Sequence, residues 1–294
     1  MIKVRVPGTT SNLGSGFDCL GLALTIYGEF GFEETESGLS FTGVDPQYQN
    51  EDNLAIVSYR KVKEEAGFGR KYGLKLSIKS DIPISRGLGS SGSLIAAGAV
   101  AANVSCGNAL SPEELLDIAA GIEGHPDNVA PALLGGFTVA LKDEGRFFAR
   151  RCLIHEKLKF CALVPDFEVS TRKAREALPS AVPFSNAVFN LSRAAMMVPA
   201  MASGDLKLIA LAMKDTLHQK YRAPLIHQFE QVRSACLASG AAAVFISGSG
   251  PTVMCLYEND SFPCTMESEL SAMHDRWKAI ALKPDMHGAT VLEE

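Results

Sequence analysis

The chain has 294 residues, of which 47% are hydrophobic, 28 are lysine or arginine and 33 are aspartate or glutamate, so its formal net charge is -5. This surplus of acid leaves no excess positive charge for nucleic-acid phosphates, and we expect no nucleic-acid partner. No apolar run of about 18 residues marks a membrane span, and Met1 opens a strand rather than a signal peptide, so we expect a cytoplasmic protein without a membrane partner. Seven scattered cysteines without a C-x-x-C pair indicate neither a disulfide framework nor a zinc site.

The first half of the chain reads as β-rich. Alternating apolar and polar residues predict strands over Lys3–Val6, Leu20–Phe32, Leu39–Thr42 and Leu74–Ile78, with a helix over Asn53–Glu65. A glycine- and serine-rich loop, Pro83–Ser93, then leads into a helical run of small residues. Ser111, Pro112 and two glutamates predict the N-cap and first turn of a helix that extends to Ile122. Phe137–Leu141 and Arg146–Cys152 flank Lys142–Gly145, which is typical of a β-hairpin.

The second half mixes strands with more helices. Its periods predict strands over Phe160–Val164, Ala242–Ile246, Thr252–Tyr257 and Ala289–Leu292, and helices over Thr171–Leu178, Asn186–Ala202, Leu206–Met213, Ile226–Ser239 and Met266–Trp277. Strands and helices mixed in this way, with antiparallel pairs among the strands, indicate an α+β fold. The length allows two domains, and we expect them to cover residues 1–155 and 156–294.

The loop Pro83–Ser93 has the composition of a phosphate-binding loop. Gly87, Gly89 and Gly92 let the backbone fold tightly, so several N–H groups can converge on one anion at the positive end of the following helix. The loop also satisfies G-x-G-x-x-G, but the strand before it is half solvated, whereas a central Rossmann strand is buried on both faces. No G-x-x-x-x-G-K-[ST] occurs, which excludes a Walker loop. Taken alone, the pattern is also compatible with a glycine-rich turn and a helix cap, which is the less favoured alternative.

Two further segments, Val6–Gly21 and Ile246–Thr252, combine with this loop to match, in order and spacing, the three signature motifs of the GHMP small-molecule kinases. Within that superfamily, Asn12–Gly21 and Glu123–Pro131 resemble the homoserine kinases. The resemblance implies a two-domain fold, with an N-terminal domain like domain 2 of ribosomal protein S5, a ferredoxin-like C-terminal domain and an active site between them. It also implies ATP-dependent phosphorylation of the side-chain hydroxyl of L-homoserine in threonine biosynthesis.

The resemblance assigns roles residue by residue. It gives ATP binding to Asn53 and to the loop residues Pro83, Ile84, Ser85, Arg86, Gly87, Leu88, Gly89, Ser90, Ser91, Gly92 and Ser93. Ser91 and Glu123 are the expected Mg²⁺ ligands, because Mg²⁺ takes few hard oxygen ligands from protein beside phosphates and waters.

The acceptor residues follow from the same resemblance and from the charges of an amino acid. Arg175 and Arg222 are assigned to the substrate carboxylate, which suits the planar guanidinium fork. The remaining assigned residues are Thr171 for substrate, Asn12 and Asp18 together with Asp127 or Asn128 for the ammonium, and His125, Asp127 and Asn128 as the catalytic group. Whether Asp127 is a base stays open, since an aspartate that holds an ammonium has a depressed pKa.

Other functions remain as alternatives. Another GHMP kinase, acting on a mevalonate-like or sugar acceptor, is the nearest, although two arginines with paired acids suit an amino acid better than a neutral sugar. A non-catalytic metabolite-binding member of the fold is a second alternative, but the predicted metal ligands are retained. A serine hydrolase is disfavoured, since no G-x-S-x-G elbow occurs. The sequence does not fix the oligomeric state, and a homodimer is one of the options.

Overall fold

The structure is a computed structural model, which describes residues 1–69 and 72–293. The strands are β1 (Ile2–Ser11), β2 (Leu20–Thr35), β3 (Leu39–Thr42), β4 (Gly73–Ser80), β5 (Phe137–Asp143), β6 (Arg146–Cys152), β7 (Lys159–Pro165), β8 (Ala243–Ile246), β9 (Val253–Tyr257), β10 (Trp277–Leu282) and β11 (Thr290–Leu292). The helices are α1 (Leu54–Glu65), α2 (Ser90–Ser105), α3 (Pro112–Glu123), α4 (Val129–Leu134), α5 (Thr171–Glu176), α6 (Phe184–Ser203), α7 (Leu206–Ala212), α8 (Gln219–Arg222), α9 (Phe229–Ala238) and α10 (Phe262–Ser271).

The first sheet carries the N-terminal half of the chain. Its strand order is β11-β1-β2-β4-β3, with β5 paired to β2 and β6 paired to β5. The pairs are antiparallel except β3 and β4, which run parallel and are connected through α1. Helices α1 and α2 pack together over this sheet, and a Cβ on Gly98 of α2 would collide with the carbonyl oxygen of Ala55. The small residues of α2 therefore allow two helix backbones to approach closely.

The second sheet has the strand order β10-β7-β9-β8, and all its pairs are antiparallel. In chain order its last strand lies beside its first, as in the predicted ferredoxin-like arrangement. One apolar cluster joins the two sheets, because buried Leu22 of β2 and Phe137 of β5 belong to the same cluster as Phe160, Met201 and Phe245. This shared core fixes the two halves against each other on either side of a cleft.

Most predicted elements are confirmed, and one is wrong in part. The helix predicted over Met266–Trp277 instead runs over Phe262–Ser271, and Trp277 begins β10. The apolar residues at 266, 270 and 273 continue a helical spacing, but pairing with β7, more than a hundred residues away in the chain, decides the conformation of β10. The predicted domain boundary falls between β6 and β7 and stays a prediction, while β11 returns to pair with β1. In the part of the chain that the structure describes, no helix combines the length and apolar content needed to cross a bilayer.

Candidate active site

A cleft of about 700 Å³ opens between the two halves of the molecule. It is lined by the loop after β1, the loop before α2, the segment after α3 and residues of the C-terminal half. All the predicted site residues line it except Arg86, Leu88 and Gly92. The three sequence motifs therefore meet at one place, although they lie far apart along the chain.

The predicted phosphate loop ends at the start of α2. Gly89 is the N-cap of this helix in a left-handed conformation (φ +71°), and a Cβ there would collide with Oγ1 of Thr9. Only glycine satisfies both conditions without strain. The first N–H groups of a helix have no partner within the helix, and they carry its positive end. The N-terminus of α2 therefore presents backbone donors to the cleft.

Hydrogen bonds connect the three motifs. Oγ of Ser247 donates to Oγ1 of Thr10 at 2.8 Å or to the carbonyl oxygen of Gly87 at 2.5 Å. The N–H of Thr9 donates to the carbonyl oxygen of Leu88 at 3.1 Å. Oδ1 of Asn128 accepts a hydrogen bond from Oγ1 of Thr9 at 2.9 Å, and its Nδ2 donates to Oγ of Ser11 at 3.0 Å. These bonds hold the phosphate loop, the first motif and the segment after α3 in one rigid frame.

Three residues of the phosphate loop, Arg86, Leu88 and Gly92, do not line the cleft and instead contact the surrounding protein. Arg86 points away from the cleft and donates to the carbonyl oxygens of Pro165 (3.0 Å) and Asp166 (2.7 Å) at the end of β7. Leu88 is fully buried. Gly92, in the first turn of α2, lies against the side chain of Asn128. The side chains of Arg86 and Leu88 therefore anchor the loop, and Gly92 allows Asn128 to approach the helix closely.

Ser91 and Glu123 face each other where α2 begins and α3 ends. Oγ of Ser91 donates to Oε1 of Glu123 at 2.5 Å. The local sequence explains this placement, since α3 begins at a capping box between Ser111 and Glu114 and ends with Glu123 itself. Burial raises the pKa of Glu123 above its ordinary value, and the hydrogen bond from Ser91 offsets this only in part. A half-buried carboxylate beside a serine hydroxyl is a donor set that suits a hard cation.

His125 and Asp127 form a second pair beside Glu123. Nδ1 of His125 lies 2.8 Å from Oδ1 of Asp127, whose side chain is 2% exposed. Burial alone would lower the pKa of His125, but the hydrogen bond to Asp127 and the charges of Asp127 and Glu123 outweigh burial and raise it. The pair therefore favours a protonated imidazole that donates to the aspartate.

Asp18 and Arg175 form a bidentate ion pair across the cleft. Nη1 and Nη2 of Arg175 donate to the two carboxylate oxygens of Asp18 at 3.0 and 2.9 Å, although 157 residues separate the two in the chain. Asn12 supports this pair, since its Oδ1 accepts from the N–H of Asp18 at 3.0 Å and its Nδ2 donates to the carbonyl oxygen of Gly248 at 3.1 Å. Two residues predicted to bind opposite charges of the substrate are thus hydrogen-bonded to each other.

The ligand atoms of Asp18, His125 and Asp127 lie within 4.8 Å of one another, which is close enough for a metal ion. However, the guanidinium of Arg175 already neutralises Asp18, and a histidine is not a preferred ligand of Mg²⁺. This cluster of charges is better matched to an organic cation than to Mg²⁺.

Arg222 is more deeply held than Arg175. It is 2% exposed, its Nε donates to the carbonyl oxygen of Ala174 (3.3 Å) and its Nη1 donates to that of Gly248 (2.9 Å). No hydrogen bond among the described residues uses its Nη2, and the residue lines the cleft. One edge of this guanidinium is therefore available to a ligand.

The sequence prediction missed the other end of the cleft, which is lined by apolar side chains of Val44, Tyr48 and Ile78. Asn53, predicted to bind ATP, lies there too. Its side chain caps α1 by accepting from the N–H of Ala55, and it donates to the carbonyl oxygen of Tyr48 at 3.0 Å. No local pattern marks these apolar residues, since only the folded sheet brings them to the loop. Ser249 was missed as well, and its hydroxyl lies 3.4 Å from that of Thr171.

Comparison with known proteins agrees with this geometry. Residues 53–136 match the family model of the GHMP kinases N terminal domain, and residues 197–263 match that of the GHMP kinases C terminal. A homoserine kinase of Clostridium botulinum (strain Kyoto / Type A2) is 44% identical over 293 residues, covering 99% of this chain and 98% of that protein. The chain belongs to the homoserine kinase family.

Further relatives of this family extend the comparison. A homoserine kinase of Clostridium beijerinckii is 44% identical over 296 residues, with 100% of this chain and 99% of that protein covered. The crystal structure of homoserine kinase from Cytophaga hutchinsonii superposes with a TM-score of 0.88 at 28% identity, covering 99% of this chain and 97% of that one. The predicted GHMP two-domain fold and the kinase class are confirmed, and membership of a kinase family implies the use of ATP.

Proposed function

We propose that the protein transfers the γ-phosphoryl group of ATP to the side-chain hydroxyl of L-homoserine and releases ADP, as a step of threonine biosynthesis. The observation that carries this proposal is the Asp18–Arg175 ion pair beside Arg222 in a cleft that also contains the N-terminus of α2. A zwitterionic acceptor offers one charge to each member of the pair. The family membership established by full-length similarity supports the same substrate.

At the nucleotide end, the chain provides donors for phosphate and an apolar wall for the nucleoside. The free N–H groups at the start of α2 point at the position expected for the triphosphate. Ile84, which is 48% exposed, and Tyr48 line the same cleft and suit the base. Mg²⁺, when bound, would be held by Ser91 and Glu123 and would neutralise charge on the phosphates.

At the acceptor end, the substrate replaces contacts that the protein makes with itself. The carboxylate of homoserine takes the guanidinium edge of Arg175 and the free Nη2 of Arg222, and its ammonium takes Asp18. Asp18 and Arg175 each gain an opposite charge from the substrate, so little electrostatic energy is lost when their mutual pair opens. A mevalonate-like acid supplies only the carboxylate and a neutral sugar supplies neither charge, which favours the amino acid over both alternatives.

We assign Asp127 an orienting role rather than that of a dedicated base. Its Oδ1 is occupied by His125, whose raised pKa favours a proton on the imidazole. Positioning and electrostatic stabilisation provide most of the acceleration in phosphoryl transfer, so a strong base is not required. The pair then holds the acceptor hydroxyl in line with the γ-phosphate. The cytoplasmic location, the lack of a nucleic-acid partner and the homodimer stay predictions.

The experiment that tests this function is a panel of acceptors with Mg·ATP, read as ADP release by a coupled assay. We expect release with L-homoserine and much slower release with mevalonate and galactose. Release with mevalonate and not with homoserine would assign the protein to another GHMP activity. Binding of homoserine without turnover would support the non-catalytic alternative.

A further inference from the structure

A buried polar network connects the first-motif loop to Arg222. Asn190 of α6 donates through Nδ2 to the carbonyl oxygen of Ser15 (3.0 Å) and to Oδ1 of Asp215 (2.7 Å). Oδ2 of Asp215 accepts the N–H of His218 at 3.0 Å, and the Asp215 side chain is fully buried. The network therefore fixes the start of α8, the short helix that ends at Arg222.

His218 is the central side chain of this network. Its ring is fully buried, and its Nε2 lies 2.8 Å from the carbonyl oxygen of Gly14. A carbonyl can only accept, so Nε2 carries the proton. Nδ1 lies 3.5 Å from Nη1 of Arg222, which can only donate, so Nδ1 presents its lone pair. Burial and the charge of Arg222 lower the pKa of His218, against the opposing charge of Asp215. All these surroundings specify one neutral tautomer.

The ring of Phe17 completes the arrangement. It lies 5.1 Å from Cζ of Arg222, 5.7 Å from Cζ of Arg175 and 5.2 Å from the His218 ring. Guanidinium groups are attracted to the face of an aromatic ring. The like charges of Arg175 and Arg222 repel each other, so both guanidinium groups need contacts that hold them in place. Phe17 contacts both groups, and His218 contacts that of Arg222.

We infer that His218 is a positioning residue that sets the preference for an acceptor with a carboxylate. The neutral imidazole holds Nη1 of Arg222, so that Nη2 points into the cleft toward the acceptor. This inference rests on the proposed function, since the acceptor carboxylate is taken to be that of homoserine. Asp215 and Asn190 act one step further away, by fixing the backbone of α8.

The test compares the binding of L-homoserine with that of 3-amino-1-propanol, the amino alcohol that remains when the carboxylate of homoserine is removed. His218→Phe keeps a ring against Phe17 but loses both nitrogens. We expect the dissociation constant for homoserine to rise about tenfold, which corresponds to the loss of one hydrogen bond to a charged group. The constant is measured by calorimetry in the presence of an unreactive ATP analogue. The constant for aminopropanol and the turnover number at saturating homoserine should change little.

Two further variants control the comparison. His218→Gln retains a donor and an acceptor and should restore part of the homoserine affinity. His274→Gln replaces a side chain that is 91% exposed, and it should leave the dissociation constants of both ligands unchanged. Equal losses for both ligands, or an unchanged constant for homoserine, would overturn the inference.

Nitrogen NMR of the unmodified protein gives a result that depends on neither folding of a variant nor activity. We expect the ring of His218 to be the neutral tautomer with Nε2 protonated. It should keep this tautomer when the pH is lowered below the ordinary histidine pKa. A charged ring or a protonated Nδ1 for His218 at neutral pH would overturn the inference. If the unmodified protein binds and phosphorylates no homoserine, the proposed function fails, whereas the assigned tautomer is still decided by the spectrum.

Discussion

The two arginines of the acceptor site differ in burial, and this difference predicts separable effects when each is replaced by alanine. Arg175 has a side chain that is 38% exposed, and among the described residues its side chain hydrogen-bonds only to Asp18. Arg222 is 2% exposed and donates to two carbonyl oxygens. Both variants should weaken homoserine binding, but the change at Arg222 should lower the free energy of unfolding more than the change at Arg175.

The magnitudes follow from these contacts. A charge-assisted hydrogen bond to the substrate carboxylate contributes about 1.5–3 kcal/mol, so each variant should raise the KM for homoserine about 10- to 100-fold. Losing the partly exposed Asp18–Arg175 pair should cost about 0–1 kcal/mol of stability. In Arg222→Ala the carbonyl of Gly248 keeps the donor from Asn12, whereas that of Ala174 loses its donor, so we expect a cost of about 1–3 kcal/mol.

The assay combines steady-state kinetics for each substrate with chemical denaturation of the unliganded protein. The KM for ATP should barely change in either variant. Arg175→Lys should recover only part of the homoserine affinity, because an ammonium lacks the planar fork. If either alanine variant loses ATP binding while keeping its affinity for homoserine, the arginine belongs to the phosphate end and our assignment of the cleft is wrong.

Four other predictions concern the phosphate end, the stability of the fold and the proton. Glu123→Gln and Ser91→Ala should lower turnover far more than homoserine affinity, and near-normal turnover in both would remove the metal assignment. Because burial raises the pKa of Glu123, folding is favoured while this carboxyl is protonated, and that contribution is lost as the pH rises through the pKa of the folded state. Thermal unfolding without nucleotide should therefore show Glu123→Gln more stable than the unmodified protein at neutral pH, with the gap closing in acid; a less stable variant would contradict this. Gly89→Ala should weaken ATP binding, whereas Gly107→Ala, with a similar φ of +69° but open space around it, should not; equal ATP affinities in a titration would refute the role of the close contact. Asp127→Asn should lower the turnover number by less than the roughly 100-fold loss of a dedicated base, and a larger loss in single-turnover assays would assign the proton to Asp127.

Local signals predicted α3, which ends in the site, and the hairpin turn between β5 and β6, which lies outside it. Ser111 and Pro112 located the start of α3, and the structure shows the capping box there. The turn between Phe137–Leu141 and Arg146–Cys152 is confirmed as two residues, Glu144 and Gly145, both with positive φ. Such features depend on a few neighbouring residues, so the sequence is sufficient to predict them.

Non-local pairing was out of reach of the same reasoning. Strand β10 is defined by its antiparallel register with β7, and nothing within Trp277–Leu282 distinguishes it from the end of a helix. The resemblance assigned Asp18 and Arg175 separately to the substrate, and only the fold brings them into contact. The proposed role of His218 was missed for a related reason, because one of its two partners, the carbonyl oxygen of Gly14, lies 204 residues away in the chain.

The most direct test of the proposed function is phosphorus NMR of the product formed from L-homoserine and Mg·ATP. We predict a phosphomonoester whose phosphorus couples to the methylene protons of the side chain, formed in step with ADP and stable to hydroxylamine. An acyl phosphate on the carboxyl group, free phosphate alone, or a phosphomonoester formed only from mevalonate would contradict the proposal.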